Sequence, residues 1–205
     1  MSKRQSNATM QSEIFIVLMI VMVLLFIITS FYISKLKEHQ QPPLIVLDEA
    51  HGYSFSSSSA LLNEKFIAEL KKSVVKKIQK FSKEYKCDTV EVYGYTDGQP
   101  FSVNTIKTTQ SFDNDLHRCL VDKDCNIDDI QASSNLELGM KRAVSVVDFL
   151  KPILLNKQSY IKTIRPYSGG AFIDAEGKIA KIDDRAGDKY RRRIELRLSR
   201  SRDLR

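Results

Sequence analysis

From Ile14 to Ser34 the chain carries no charge and is almost wholly aliphatic or aromatic. At ~1.5 Å of rise per residue, this run matches the ~30 Å hydrocarbon core of a bilayer and predicts one transmembrane helix. A cleaved secretory signal would have a shorter apolar core ending in small residues. Here the run closes on Thr29, Ser30, Phe31, Tyr32 and Ile33, and Lys35 and Lys37 follow. An aromatic border with snorkelling cations suits a retained anchor. Flanking charge leaves its orientation open, because Lys3 and Arg4 balance Lys35 and Lys37. Residues 35–43 then form a polar linker ending in the Gln40-Gln41-Pro42-Pro43 break.

Beyond the linker the pattern becomes that of a soluble domain. Leu44-Ile45-Val46-Leu47 reads as a strand, followed by a turn at Gly52, a short extended piece at Tyr53-Ser54-Phe55 and the serine run Ser56 to Ser59. From Ala60 onward Leu62, Phe66, Leu70, Val74, Ile78 and Phe81 recur every three or four residues, which predicts an amphipathic helix. Thr89 to Tyr95 alternates as a strand, with Val90 and Val92 inward and Glu91 and Tyr93 outward. Residues 98–132 form a polar insertion without a convincing period. Ser134 and Glu137 resemble a capping box opening a second helix through Leu150, with Leu138, Val146, Val147 and Leu150 on its apolar face. Tyr160 to Pro166 and Arg193 to Ser199 complete the strands. The order strand, helix, strand, helix, strand, strand predicts an α+β two-layer sandwich with both helices on one face of a small mixed sheet. The expected organisation is a tail at 1–13, a transmembrane helix at 14–34, a linker at 35–43, one domain at 44–199 and a basic tail at 200–205.

The net charge of +7 on its own permits nucleic acid, an anionic surface or an acidic polymer as partner. Much of the excess lies in Arg191, Arg192, Arg193, Arg197, Arg200, Arg202 and Arg205, which read as a solvated strand and tail. Cys119 and Cys125 are spaced to close a small disulfide loop in an oxidising compartment, while Cys87 has no evident mate. Three reduced thiols in a cytosolic domain are the alternative.

Two motifs mislead. Asp48-Glu49-Ala50-His51 spells a helicase-type DEAH signature, yet no phosphate-cradling G-x-x-x-x-G-K-[ST] loop accompanies it. Asp122, Asp124, Asn126 and Asp128 mimic half an EF-hand, but Ile127 and Ser133 replace the turn glycine and the bidentate glutamate. His39, His51 and His117 are scattered, so zinc spacing and a catalytic triad are both lacking. The expectation is a non-enzymatic protein without cofactor or metal.

One pair of residues carries candidate chemistry. The strand from Val90 ends in Gly94-Tyr95-Thr96-Asp97, which sets a carboxylate at the strand mouth. Arg142 sits one turn after Leu138 and one turn before Val146, at the margin of the buried helix face. Taken from spacing alone, the simplest outcome is that Asp97 and Arg142 pair with each other.

Val90 to Asp97, then Asn135-Leu136-Glu137-Leu138-Gly139-Met140-Lys141-Arg142-Ala143, then Arg192-Arg193-Ile194-Glu195 resemble the three signature blocks of the OmpA-like peptidoglycan-binding domain family. The likeness spans Leu44 to Leu198 and implies a βαβαββ sandwich. It further implies that Asp97 and Arg142 grip the diaminopimelate of a peptidoglycan stem peptide, the carboxylate taking its ammonium and the guanidinium its carboxylate. Thr96, Asn135 and the loop containing Ser57 would border that pocket. Tyr95 stands where the family has histidine and would alter only the rim. Gly139 stands where it has serine, costing up to ~1 kcal/mol of helix propensity, and Arg191 stands where it has asparagine.

The long insertion, Thr96-Asp97-Gly98-Gln99-Pro100-Phe101 and the Ser134 to Leu138 opening are similar to the MotB-like branch, whose relatives include the flagellar stator and the B subunit of Zorya anti-phage defence. This implies an inner-membrane protein with its N-terminus cytoplasmic, its domain periplasmic, a homodimeric state, a multi-span MotA-like partner and no nucleic acid. Branch members carry an ion-accepting carboxylate in the helix; here the candidate is Glu13, at its edge. A passive tether between membrane and wall is the alternative, and a cytosolic nucleic-acid-binding domain is a third reading.

Overall fold

The computed structural model describes residues 2–39, 41–56, 59–99, 112–121, 126–181 and 187–201, and within its first helix the side chains of 13–36. The chain divides into two compact units, Met1–Gln40 and Gln41–Arg205.

The first unit is helix α1, Ser2–His39, with an apolar stretch Glu13–Leu36 of mean hydropathy 3.2. Its large apolar side chains, among them Phe15, Leu18, Val21, Phe26 and Ile33, are exposed all around the helix. A helix apolar on every side belongs in lipid or in a protein core. Within it the Thr29 hydroxyl donates to the Leu25 carbonyl at 2.8 Å, so this polar group is satisfied by the helix's own backbone.

The second unit is the expected sandwich. Strands β1 (Ile45–Asp48), β2 (Thr89–Tyr95), β3 (Thr163–Gly170) and β4 (Arg193–Ser199) form one sheet in the order β1-β4-β2-β3. β2 and β3 are parallel, and β4 runs antiparallel to both β1 and β2. Val90, Val92, Ile194 and Leu196 face inward against Phe66, Leu70, Ile78, Val146 and Leu150, making the core.

The first sandwich helix starts at Asn63, whose side chain accepts from Phe66 N at 2.8 Å. It runs as α2 (Glu64–Glu69) through a π-helical stretch Leu70–Val74 into α3 (Val75–Glu84). The expected extended piece at Tyr53–Phe55 does not join the sheet. Its rings instead meet Phe66 edge-on at 5.3 and 5.2 Å, and the Tyr53 amide donates to the Asp48 carbonyl.

The insertion also departs from expectation, since its described part contains helix α4 (Phe112–Val121) and a 3-10 turn at Ile127–Asp129. Leu116 and Cys119 pack on Ile130 and Val144. A helix of ten residues with only Leu116 and Cys119 buried gives a weak periodic signal between polar flanks. Cys119 is disulfide-bonded, and Cys87 is buried with its thiol donating to the Tyr85 carbonyl at 3.6 Å. Cys125, the expected mate, lies outside the described residues.

Helix α5 (Asn135–Leu154) is capped by Ser134, which accepts from Glu137 N. Glu137 answers not at Ser134 but at the amide and hydroxyl of Ser133, so the capping box is displaced by one residue. The helix continues past Leu150 through Pro152, because Leu154 adds a fully buried side chain to the core.

One contact fixes α5 on the sheet. A Cβ on Gly94 would stand 2.0 Å from the Gly139 carbonyl oxygen, and a Cβ on Gly139 would stand 2.7 Å from the Gly94 carbonyl oxygen. Gly139 is therefore no mere loss of helix propensity; its missing side chain is what lets helix and strand backbones touch.

The outer face of the sheet corrects the reading of the arginines. Arg191 and Arg193 are buried rather than solvated. Arg191 donates to the carbonyls of Ala171 and Lys181. Arg193 pairs with Glu195 at 2.8 Å and lies over the Tyr95 ring, while Arg197 pairs with the same carboxylate at 2.7 Å and lies over Tyr93. Burial pushes the Glu195 carboxyl up, but hydrogen bonds from Arg197 and Arg193 outweigh it and hold it below the usual glutamate value. Arg200 donates to the Tyr85 carbonyl. Tyr95 is part of this ladder, its hydroxyl donating to Glu195.

Gly94→Ala is expected to destabilise the second unit by ~1–3 kcal/mol, the usual cost of overpacking a close contact. Thermal unfolding of the full chain in detergent, followed by near-UV circular dichroism, checks this; an unchanged midpoint would contradict the contact.

Candidate functional site

The sheet delivers Thr96 and Asp97 immediately after β2, and the amide of Thr96 donates to the Gly170 carbonyl at 2.9 Å. The glycine contact places α5 against this strand end. Arg142, one turn along from Gly139, thereby comes to lie beside it.

Asp97 is 5 % exposed and Arg142 4 %. Contrary to the reading from spacing, they make no direct ion pair among the described residues. The Asp97 carboxylate is bonded instead by Arg192 Nη1, and Arg192 Nε bonds Glu49. Glu49 lies in the 3-10 turn after β1, inside the segment that spells a helicase signature. Its neighbours Asp48 and His51 pair with each other. Glu49 and Arg192 are the site residues that sequence reasoning missed. The available signals were the Arg192-Arg193 block and a carboxylate just beyond a strand end.

Arg142 donates from Nε to the Ser59 carbonyl at 3.1 Å and lies over the Phe55 ring, 4.9 Å from its centroid. Among the described residues its two terminal nitrogens have no protein acceptor. Burial pulls its pKa down to about 10, the Asp97 carboxylate raises it, the Arg192 guanidinium lowers it and Glu49 raises it. At neutral pH the group remains a cation. The hydrogen bond from Arg192 keeps the Glu49 carboxyl below its usual value against the opposing effect of burial, and the same bond raises Arg192. Four charges thus act on one another here.

A second observation marks the same place. Thr96 is 1 % exposed and its hydroxyl has no hydrogen-bond partner. Buried hydroxyls are ordinarily bonded, and among the described residues Thr96 shares this exception with Arg191 Nε and Arg193 Nη1. The arrangement can take a carboxylate on the Arg142 fork and a cation on the Asp97 oxygen that Arg192 leaves unbonded.

The remaining expected site residues divide. Asn135 donates to the Gln99 carbonyl at 2.9 Å and so ties the loop after Asp97 to the start of α5. Ser57 lies outside the described residues, although Ser59 of the same loop touches Arg142. Ser59 in turn bonds Asp128, which also pairs with the buried Lys141. Leu138 is buried, as expected. No group of three or more His, Cys, Asp or Glu suited to a metal occurs among the described residues. A cavity of about 290 Å³ opens between Leu61, Leu62, Ile127 and the α5 residues Val144, Asp148 and Phe149, and none of the four charged groups lines it.

No family model and no curated protein matches the sequence. Solved structures do. The chain is similar to periplasmic MotB. The periplasmic domain of Helicobacter pylori MotB is 20 % identical, over 80 % of this chain and 81 % of that one, with a TM-score of 0.47. The cell wall anchor of the T6SS from Pseudomonas aeruginosa is 17 % identical over 77 % and 81 %, with a TM-score of 0.40. The OmpA-like domain of a Francisella tularensis protein is 20 % identical over 76 % and 75 %, with a TM-score of 0.37.

Thr96→Val removes an unsatisfied buried hydroxyl at constant shape and is expected to leave stability unchanged or raise it by ~1 kcal/mol. A lowered unfolding midpoint would mean that the hydroxyl serves the fold instead of a ligand.

Proposed function

We propose that this protein is a membrane-anchored peptidoglycan-binding protein whose soluble unit holds the free end of a stem-peptide diaminopimelate. One observation carries the reading: a buried Arg142 whose terminal nitrogens have no protein acceptor among the described residues, in the field of the buried Asp97 carboxylate and near the Thr96 hydroxyl that follows β2. The free end of that diamino acid bears an ammonium and a carboxylate on one carbon. The carboxylate would take the terminal nitrogens of Arg142, the ammonium would take Asp97, and the Thr96 hydroxyl would bond one of the two. The three sequence blocks that resemble OmpA-like domains contain all three residues, which supports the same ligand. Apolar helix α1 supplies the anchor. The disulfide at Cys119 favours an oxidising compartment for the domain, and so a periplasmic location with the N-terminus inside. The internal partners of Arg191, Arg193 and Arg197 weigh against nucleic acid as ligand, since those cations are already committed.

Within this reading the protein serves as a stator-like subunit, homodimeric and paired with a multi-span MotA-like partner, as the MotB-like resemblance implies. Ion coupling would then fall to Glu13, the carboxylate at the start of the apolar stretch. A passive tether needs only the anchor and the site. The absence of any acidic residue between Ile14 and Ser34 favours that second reading.

Asp97→Asn and Arg142→Gln are each expected to cut peptidoglycan pull-down by at least about tenfold while the circular dichroism of the fold is retained, a charge-pair loss of ~1.4 kcal/mol or more. Undiminished pull-down by either variant would overturn the site. Glu13→Gln separates the two readings: lost activity of the complex in cells with wall binding spared supports ion coupling, and full activity leaves the tether.

A further inference from the structure

The wall-ligand reading leaves Glu49 and Arg192 without a task, and their geometry supplies one. Arg192 bonds Glu49 through Nε and Asp97 through Nη1, so a single guanidinium is shared between two carboxylates. Both partners of this bridge are about one-fifth exposed, whereas Asp97 and Arg142 are nearly closed off from water. Asp97, Glu49, Arg142 and Arg192 together are formally neutral. Lys189 is the other cation that acts on Glu49.

We infer that Glu49 is a specificity-determining residue of the site: it neutralises Arg192, so that Asp97 keeps its charge for an incoming ammonium and the site selects a zwitterionic head over a plain carboxylate. Without Glu49, Arg192 would face Asp97 alone and spend its whole charge there. The cluster would then be net positive, repelling an ammonium and attracting any dicarboxylate. With Glu49 in place, the only uncompensated demand is for one cation and one anion side by side. That pattern matches an amino acid end and not a simple acid. This inference rests on the ligand reading above but makes its own separate demand, on charge discrimination in place of binding as such.

The test uses the full chain in detergent at pH 7, titrated calorimetrically with meso-diaminopimelate and, separately, with pimelate, the same carbon chain lacking both ammonium groups. Glu49→Gln keeps the shape and an acceptor for Arg192. It is expected to weaken diaminopimelate by about tenfold and to strengthen pimelate, as removal of one charge from a partly buried pair implies. Arg192→Gln is expected to shift the preference the opposite way, further toward diaminopimelate. Glu49→Gln combined with Arg192→Gln restores neutrality and is expected to bring the preference back toward that of the unaltered protein. An unchanged preference in both single variants, or a shift of the same sign in both, overturns the role of Glu49 while leaving the ligand reading intact. Failure of the unaltered protein to bind diaminopimelate removes the ligand reading, and this inference with it.

Discussion

Helix α5 lies on strand β2 at backbone contact, a closeness permitted only because Gly94 and Gly139 both lack side chains. Everything at the candidate site follows from that approach. It brings the end of β2, carrying Thr96 and Asp97, next to the helical turn that carries Arg142. The far end of β3 is clasped to the same helix, where the Ser168 hydroxyl donates to the Leu136 carbonyl at 2.7 Å. A larger residue at either glycine would lift the helix and draw the guanidinium away from the strand end.

The site's charges are arranged by burial as much as by pairing. A guanidinium taken out of water is costly unless hydrogen-bonded and electrostatically compensated. Arg142 donates to the Ser59 carbonyl, lies over the Phe55 ring and sits in the field of nearby carboxylates, yet among the described residues no carboxylate is bonded to it. Arg192 shows the opposite arrangement, with two carboxylates bonded at once. The two arginines thus differ in kind: one is held by a carbonyl and a ring face, the other by two carboxylates. The insertion reaches this centre as well, through Asp128, Ser59 and Lys141.

The outer face of the sheet uses the same chemistry to a different end. There Arg193 and Arg197 share Glu195, each lying over a tyrosine ring, and Tyr93 stacks on Tyr167 with centroids 4.8 Å apart. Burial and the neighbouring Glu91 push the Tyr93 phenol up to about 12, so the ladder keeps its protonation state through neutral pH. Cations that looked like a solvated tail are thereby built into the sheet.

What the amino-acid sequence determined by itself was local or periodic. The uncharged run from Ile14 fixes a helix that is apolar on every side and long enough to cross a bilayer. The alternation of Val90 and Val92, the spacing of Phe66, Leu70 and Ile78, and the cap at Ser134 fix the strands and helices, because each depends on neighbours within a few positions. Asp97 and Arg142 were legible as candidates from their places at a strand mouth and a helix margin and from the motif blocks around them. Which charge meets which was not legible. Pairing Arg192 with both Asp97 and Glu49 joins β4, β2 and the turn after β1, which are far apart in the chain. Only the sheet order β1-β4-β2-β3 decides that those three ends coincide. The value of Gly139 was hidden for the same reason, since a helix propensity is a property of one segment, whereas a backbone contact belongs to two.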